Sequence, residues 1–321
     1  MKSDPRGRIK TISTKHMSRD DWLLQRRKTI GGSDAAAVIG LSPWASPYTV
    51  WADKTGRLPD RPDNEAMRIG RDLEEYVARR WCEFTGKKVR RSNQMIYNSL
   101  YPFAHADIDR LVVGESAGLE CKTTSTLDLK QFSGVEFPEK YYVQCVHYLA
   151  VTGLDRWYLA VLVFGRGFFT FTLERDQKEI DALMAAEREF MERVEKDDPP
   201  PPDGKGATTE AIQTLYAESR GEARDLFGRE QVLGEYLALK RQSKAIAERM
   251  DEIANTIKTE METAERGSAG PYDVIWKTQS RRSFQPKAFA RAYPGIDLAP
   301  FYQTSTARPF RVEERKSDID I

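Results

Sequence analysis

Apolar and polar positions change period along this chain, and the changes predict its elements. Residues 19–27 read as a short helix. Ser33-Asp34 before Ala35-Ala36-Ala37-Val38-Ile39 reads as an N-cap and a helix that stops at Gly40. Over 65–84, Ile69, Leu73, Tyr76, Val77, Arg80 and Trp81 recur at helical spacing, which predicts a longer helix. Two alternating segments follow, 104–113 and 119–124. A turn between Gly114 and Gly118 joins them, so the pattern predicts a hairpin. A helix over 139–152, a strand over 157–163, a Gly165-Arg166-Gly167 turn, a strand over 168–173 and a helix over 176–196 come next. This order predicts an α/β (α+β mixed) fold, a mixed sheet flanked by helices rather than a strictly alternating parallel sheet.

Residues 198–206 are polar and proline-rich, which predicts an extended linker between a domain at 1–197 and a second region at 207–321. In that region Val232, Tyr236, Leu239, Ser243, Ile246, Met250, Ile253 and Ile257 fall on steps of four and three, a heptad stripe. Residues 209–227 also read as helical, and Gly228 separates the two. The expectation is an antiparallel helical hairpin packed on its own domain, with a coiled coil between copies as the alternative. Residues 272–277 alternate as a strand that 306–312 can pair with, a small β appendage. The tail 313–321 reads as disordered.

The 40% hydrophobic residues suffice for a core, and 50 Lys plus Arg against 49 Asp plus Glu leave the chain nearly neutral. Net charge therefore says nothing of a nucleic-acid partner. Basic clusters at Arg26-Arg27-Lys28 and Lys87-Lys88-Val89-Arg90-Arg91 suit phosphate contact. Cys82, Cys121 and Cys145 form no CxxC pair, which argues against zinc and iron–sulfur centres and for reduced thiols in a cytoplasm-like compartment. No apolar run reaches the roughly 18 residues of a membrane span, so no membrane role is expected.

The candidate chemistry lies in Asp109-x10-Glu120-x-Lys122. Strand alternation puts Glu120 and Lys122 on one face, and the hairpin brings Asp109 alongside. Asp107 points the same way as Asp109, so either could be a ligand. Two carboxylates beside a lysine can hold a divalent metal, with the Cys121 carbonyl contributing, and orient a water for phosphodiester hydrolysis. A solvated surface hairpin is the bland alternative. Hard oxygen ligands suit Mg²⁺ or Mn²⁺. Glu74 and Glu75 sit on the preceding helix, where either could reach the site, although periodicity leaves both solvated. Gln144 and Tyr148 share a helix face and can contact a metal-bound water or DNA, or else pack as strand cap and core. His16, His105 and His147 have no ligand spacing and read as structural or surface.

Taken together, these residues resemble the YqaJ-type viral recombinases, which include phage lambda exonuclease, within the PD-(D/E)xK nuclease superfamily. The resemblance rests on Trp22-x3-Arg26-x6-Ser33 with Ile30-Gly31-Gly32-Ser33-Asp34-Ala35-Ala36 and Gly40-Leu41-Ser42-Pro43-Trp44, on Gly70-x2-Leu73-Glu74, on Asp109-x10-Glu120-x-Lys122, and on Gln144-x3-Tyr148. It covers about residues 19–195. It implies a restriction-endonuclease-like core and an Mg²⁺-dependent exonuclease that digests one strand of linear double-stranded DNA from a 5′ end. The active site would comprise Glu74, Asp109, Glu120, Lys122 and Gln144, with Glu74 a further metal ligand. Arg26, Ser33 and Tyr148 would take the DNA end. The 3′ strand would pass to a single-strand annealing protein, and a trimeric ring in a bacterial cytoplasm, phage or prophage encoded, would be the working form. A departure is Arg110, where many relatives carry glycine. A structure-specific endonuclease and a non-catalytic DNA-end-binding protein are the competing functions.

Overall fold

Strand β7 (Ala117–Thr124) sets the layering of the first unit, because its alternate side chains serve two different helices. Ala117, Leu119 and Cys121 pack with Val77, Ala78 and Trp81 of helix α4 (Glu65–Thr85). Glu120 and Lys122 take the other face, toward helix α5 (Glu139–Thr152), from which Gln144 reaches Glu120. Strand β8 (Arg156–Val163) runs parallel to β7 and alternates in step: Tyr158 and Ala160 join the α4 side, and Leu159 and Val161 the other. We describe a computed structural model covering residues 6–60, 63–125, 137–303 and 307–314.

The five-stranded sheet has the order β3 (Val89–Arg91), β6 (Arg110–Val112), β7, β8, β9 (Gly167–Glu174) and mixes antiparallel and parallel pairs. This is the mixed sheet flanked by helices that the pattern predicts. A second sheet joins β1 (Ile9–Ser13), β4 (Gln94–Asn98), β5 (Ala104–Asp107) and the short β2 (Ile30–Gly31). The predicted strand 104–113 is thus two strands in two sheets: β5 pairs with β4, and β6 with β3 and β7. The chain crosses between the sheets at Ile108 and Asp109.

Helix α1 (Arg19–Arg27) has its expected bounds. Helix α2 (Gly32–Val38) begins before Ser33. Gly31 is the N-cap, and its N–H donates to Asp34, so Ser33 lies in the first turn rather than capping it. Helix α3 (Pro47–Lys54) packs beside it. Asn64 caps α4 through its side chain, and Gly86 at φ +72° ends it. Asp176 caps α6 (Gln177–Glu195) in the same way.

The chain divides after Tyr216, not at 198–206. The cause is helix α7 (Gly206–Leu215): Ala211 is buried with Trp51, Phe190 and Met191, and Thr208 donates to buried Ser46. A proline-rich segment thus leads back onto the first unit. The second unit, Ala217–Ile321, contains helix α8 (Glu230–Met261), strands β10 (Arg266–Ala269) and β11 (Tyr272–Ile275), and helix α9 (Pro286–Ala292). The expected helical hairpin is not formed, since residues 217–229 are non-helical and α7 belongs to the first unit. β11 pairs with β10 across Gly270, at φ +57°, because a tight turn brings a neighbour closer than the distant 306–312 segment. Residues 307–312 form no strand, and the tail beyond 314 lies outside the described residues. No helix among the described residues is long and apolar enough to cross a membrane.

Candidate active site

Asp109 stands where the chain leaves one sheet for the other, and there its carboxylate meets β7. Its Oδ2 accepts from the Cys121 N–H at 2.8 Å. Buried Glu120 accepts at Oε1 from Lys122 Nζ at 2.5 Å and from Gln144 Nε2 at 2.8 Å. The same amide donates to the Tyr148 hydroxyl at 2.7 Å. Asp109, Glu120, Lys122 and Gln144 therefore form one connected group, with Asp109 reached through the β7 backbone.

Electrostatics leave this group short of positive charge. Burial, then the Glu120 charge, holds the Asp109 carboxyl well above the usual carboxylate range, although Lys122 opposes the shift. Burial also raises Glu120 against the pull of Lys122. Lys122 resists the opposite effect: burial disfavours its charge, but Glu120 and Asp109 overcome that and raise it above the lysine range. It stays an ammonium and acts as a donor, not a base. Glu120 Oε2 is buried with no hydrogen-bond partner. An orphaned carboxylate oxygen beside a second carboxyl whose charge burial disfavours fits a divalent cation between Asp109 and Glu120.

Glu74 sits nearby but faces a different partner. Its carboxylate accepts from Arg110, whose side chain is 3% exposed and also donates to Glu75 at 3.0 Å and to the Asp109 carbonyl at 2.8 Å. No three His, Cys, Asp or Glu among the described residues are grouped to hold an ion. Arg110, the departure from the family pattern noted in the sequence, thus holds the expected third ligand. Glu74, Asp109, Arg110 and Asp107 line a cleft of about 250 Å³ beside the buried Glu120.

The predicted end-binding residues split. Arg26 Nη2 donates to Ser33 Oγ at 2.6 Å, and its guanidinium lies 4.6 Å over the Trp22 ring. Asp34, in the next position, accepts from buried Lys54 at 2.7 Å and stays ionised despite burial because Lys54 and Arg26 face it. Tyr148 departs from expectation: it is buried, 4.9 Å from the Trp157 ring, and offers DNA no surface. It stands instead between the two halves of the site, bonded to Gln144 on one side and packed under Gly32 on the other. A Cβ on Gly32 would lie 2.5 Å from its ring, so only glycine lets α2 come this close to α5. Asp107 also parts from Asp109, accepting from Trp22 Nε1 at 3.1 Å near Arg26, with burial raising its carboxyl to about 6.

Residues 21–155 match the model of the YqaJ-like viral recombinase domain. The chain is also 40% identical over 287 residues, 87% of this chain and 90% of the relative, to the Bacillus subtilis (strain 168) protein YqaJ, itself described as uncharacterized. The chain belongs to the YqaJ-like viral recombinase family. Two solved structures are similar at lower identity. The alkaline exonuclease LHK-Exo of Laribacter hongkongensis is 19% identical over 56% of this chain and 94% of its own, with a TM-score of 0.48. A phage-related exonuclease of Haemophilus somnus 129PT is 13% identical over 53% of this chain and 96% of its own, with a TM-score of 0.43.

In this YqaJ-family chain, several supporting residues carry no strong sequence signal. His147 lies fully buried with Nδ1 2.8 Å from Glu187 Oε1 and Nε2 2.8 Å from the His105 carbonyl, tying α5 and α6 to β5 under the Gly31-Gly32 turn. His105 is buried on Thr29, and burial followed by Arg26 and Lys54 pushes it down to about 3. Both histidines are thus structural. Lys140, next to the site on α5, holds its ammonium 3.9 Å over exposed Trp44 and 4.7 Å over Tyr141. Trp44 belongs to the Ser42-Pro43-Trp44 segment, but its contact with residue 140 is visible only in three dimensions.

Proposed function

We propose that this chain is a divalent-metal-dependent exonuclease on linear double-stranded DNA, working 5′→3′ and leaving a 3′ single strand for recombination by annealing. The observation that carries the reading is the junction of two sites through Gly32 and Tyr148. On one side Asp109, Glu120, Lys122 and Gln144 converge; on the other Arg26 and Ser33 meet. Mg²⁺ or Mn²⁺ bound by Asp109, Glu120 and the Cys121 carbonyl would act as Lewis acid at the scissile phosphate. Lys122, held charged, donates toward an attacking water and stabilises negative charge that develops at phosphorus. Gln144 keeps the Glu120 carboxylate aimed. Glu74 would join from its place on Arg110. The Arg26 guanidinium and Ser33 hydroxyl, at the start of α2, suit the terminal 5′-phosphate, with Asp34 and Asp107 limiting the net charge there.

In cells the 3′ strand would pass to a single-strand annealing protein, and the enzyme would work as a homo-oligomer in a bacterial cytoplasm. The test is digestion of a linear duplex labelled separately at each 5′ and 3′ terminus, with and without Mg²⁺. Loss of the 5′ label first, only with Mg²⁺ and only on linear substrate, is the expected result. Cleavage of a covalently closed circle would replace the reading with an endonuclease, and no degradation of any duplex with a binding module.

A further inference from the structure

Helix α8 spans 32 residues, about 48 Å at 1.5 Å per residue, and none of them is buried. Its apolar stripe from Val232 to Ile257 is between 36% and 65% exposed. The Phe310 ring stands 5.6 Å from Tyr236 at one end, and from Leu239 onward the stripe stays open. The packing partner that the sequence suggested, a preceding antiparallel helix, does not exist.

We infer that this stripe is the seam of a parallel coiled coil with a second copy of the chain. Steps of four and three repeat every seven residues, slightly under the helical period, so they stay aligned only against another helix that supercoils with the first. Among the described residues of this unit, the other α-helix, α9, has seven residues and cannot match that length. A second α8 carries the same period by identity.

The charges beside the seam agree. Glu235 precedes a seam position and Lys240 follows one, five residues on. In a parallel, in-register pair Glu235 of each copy faces Lys240 of the other, twice by symmetry. The remaining flanking positions bring no like charges together, since Gln242 faces Ala247 and Arg249 faces Ala254. Ser243, the polar interruption, meets its own counterpart in this register, where one polar layer fixes alignment at some cost in stability. An antiparallel pair would instead set Ser243 against Ile246 and leave Glu235 opposite Thr256.

The inference does not depend on the nuclease reading. Sedimentation equilibrium of the full chain at micromolar concentration should show a larger assembly for the wild type than for Leu239→Glu with Ile246→Glu, whatever association the first unit makes by itself. Both substituted residues are exposed, and near-UV circular dichroism, which reads the buried Trp51, Trp81 and Trp157 of the first unit, checks that the variant stays folded. Separately, Ser243→Cys should form an inter-chain disulfide on mild oxidation that the wild type, with Cys82, Cys121 and Cys145, does not. Glu235→Lys should weaken association, and adding Lys240→Glu should restore it. A monomeric wild type, or association unchanged by the double glutamate, overturns the inference. Association lost in the double glutamate without a Ser243→Cys cross-link overturns the parallel register.

Discussion

One methyl group added at Gly32 tests whether the two halves of the site are joined as described. A Cβ there would meet Tyr148 Cε1 at 2.5 Å and Cζ at 2.8 Å, whereas relaxed carbon contacts are about 3.5–4.0 Å. The ring cannot easily retreat, because Trp157 stands 4.9 Å away and its hydroxyl is tied to Gln144. Relief therefore needs a shift of about 1 Å in α2 or in the ring. Overpacking of this kind costs about 1–3 kcal/mol. Alanine recovers at most about 1 kcal/mol of helix propensity, less at a first-turn position. The net is a destabilisation of about 1–2 kcal/mol, a thermal midpoint lower by about 2–8 °C. Because Tyr148 anchors Gln144 and Gln144 anchors Glu120, hydrolysis should fall on the order of 10²-fold, as for an ångström-scale misplacement. Differential scanning calorimetry and initial rates on 5′-labelled linear duplex measure the two effects. Gly70→Ala is the control in stability: its Cβ would lie 3.8 Å from Thr123 Oγ1, so it should gain about 0.5–1 kcal/mol. If Gly32→Ala keeps both midpoint and rate, the packing argument fails.

Three further outcomes follow from the site. Lys122→Ala should cut hydrolysis at least about 10²–10³-fold while gel-shift affinity for duplex without Mg²⁺ stays near wild type; lost DNA binding would give Lys122 a different role. Arg26→Ala should equalise rates on 5′-phosphorylated and 5′-hydroxyl ends, compared on matched duplexes; a preserved preference would place the phosphate elsewhere. Burial holds the Asp109 and Glu120 carboxyls above the usual carboxylate range, so their contribution favours folding at low pH and is lost as pH rises through the raised values. Mg²⁺ should relieve that, stabilising the fold by about 2.7 kcal/mol at a hundredfold excess over Kd and raising the thermal midpoint more at pH 8 than at pH 5. An equal shift at both pH values would argue against binding at these carboxylates.

Much of the first unit is legible from local pattern. Helices α1, α4, α5 and α6 and strands β8 and β9 fall within a residue or two of their predicted bounds, because period, caps and turn glycines act over a few residues. Glu120, Lys122 and Gln144 converge as expected, since strand alternation and helical spacing place side chains on faces without reference to the rest of the chain. Failures share one cause. The break at Ile108-Asp109, the return of α7 onto α3, the single long α8 and the pairing of β10 with β11 are all choices between partners. Periodicity says that a face is apolar, not what covers it.

By itself the sequence determined most helices and strands of the first unit and the faces on which Glu120, Lys122 and Gln144 lie. The tertiary structure alone decided their roles. It buried Tyr148 and made it a brace, turned Glu74 onto Arg110, and ended β5 at Asp107 so that Asp109 falls where the chain crosses to the other sheet. Covalent spacing controls direction over a few residues; contacts between distant segments depend on which close approaches sterics and burial permit, as at Gly32. The grouping of two carboxylates and a lysine was written in strand alternation, but its link to the Arg26–Ser33 pair exists only because a missing Cβ lets two helices touch.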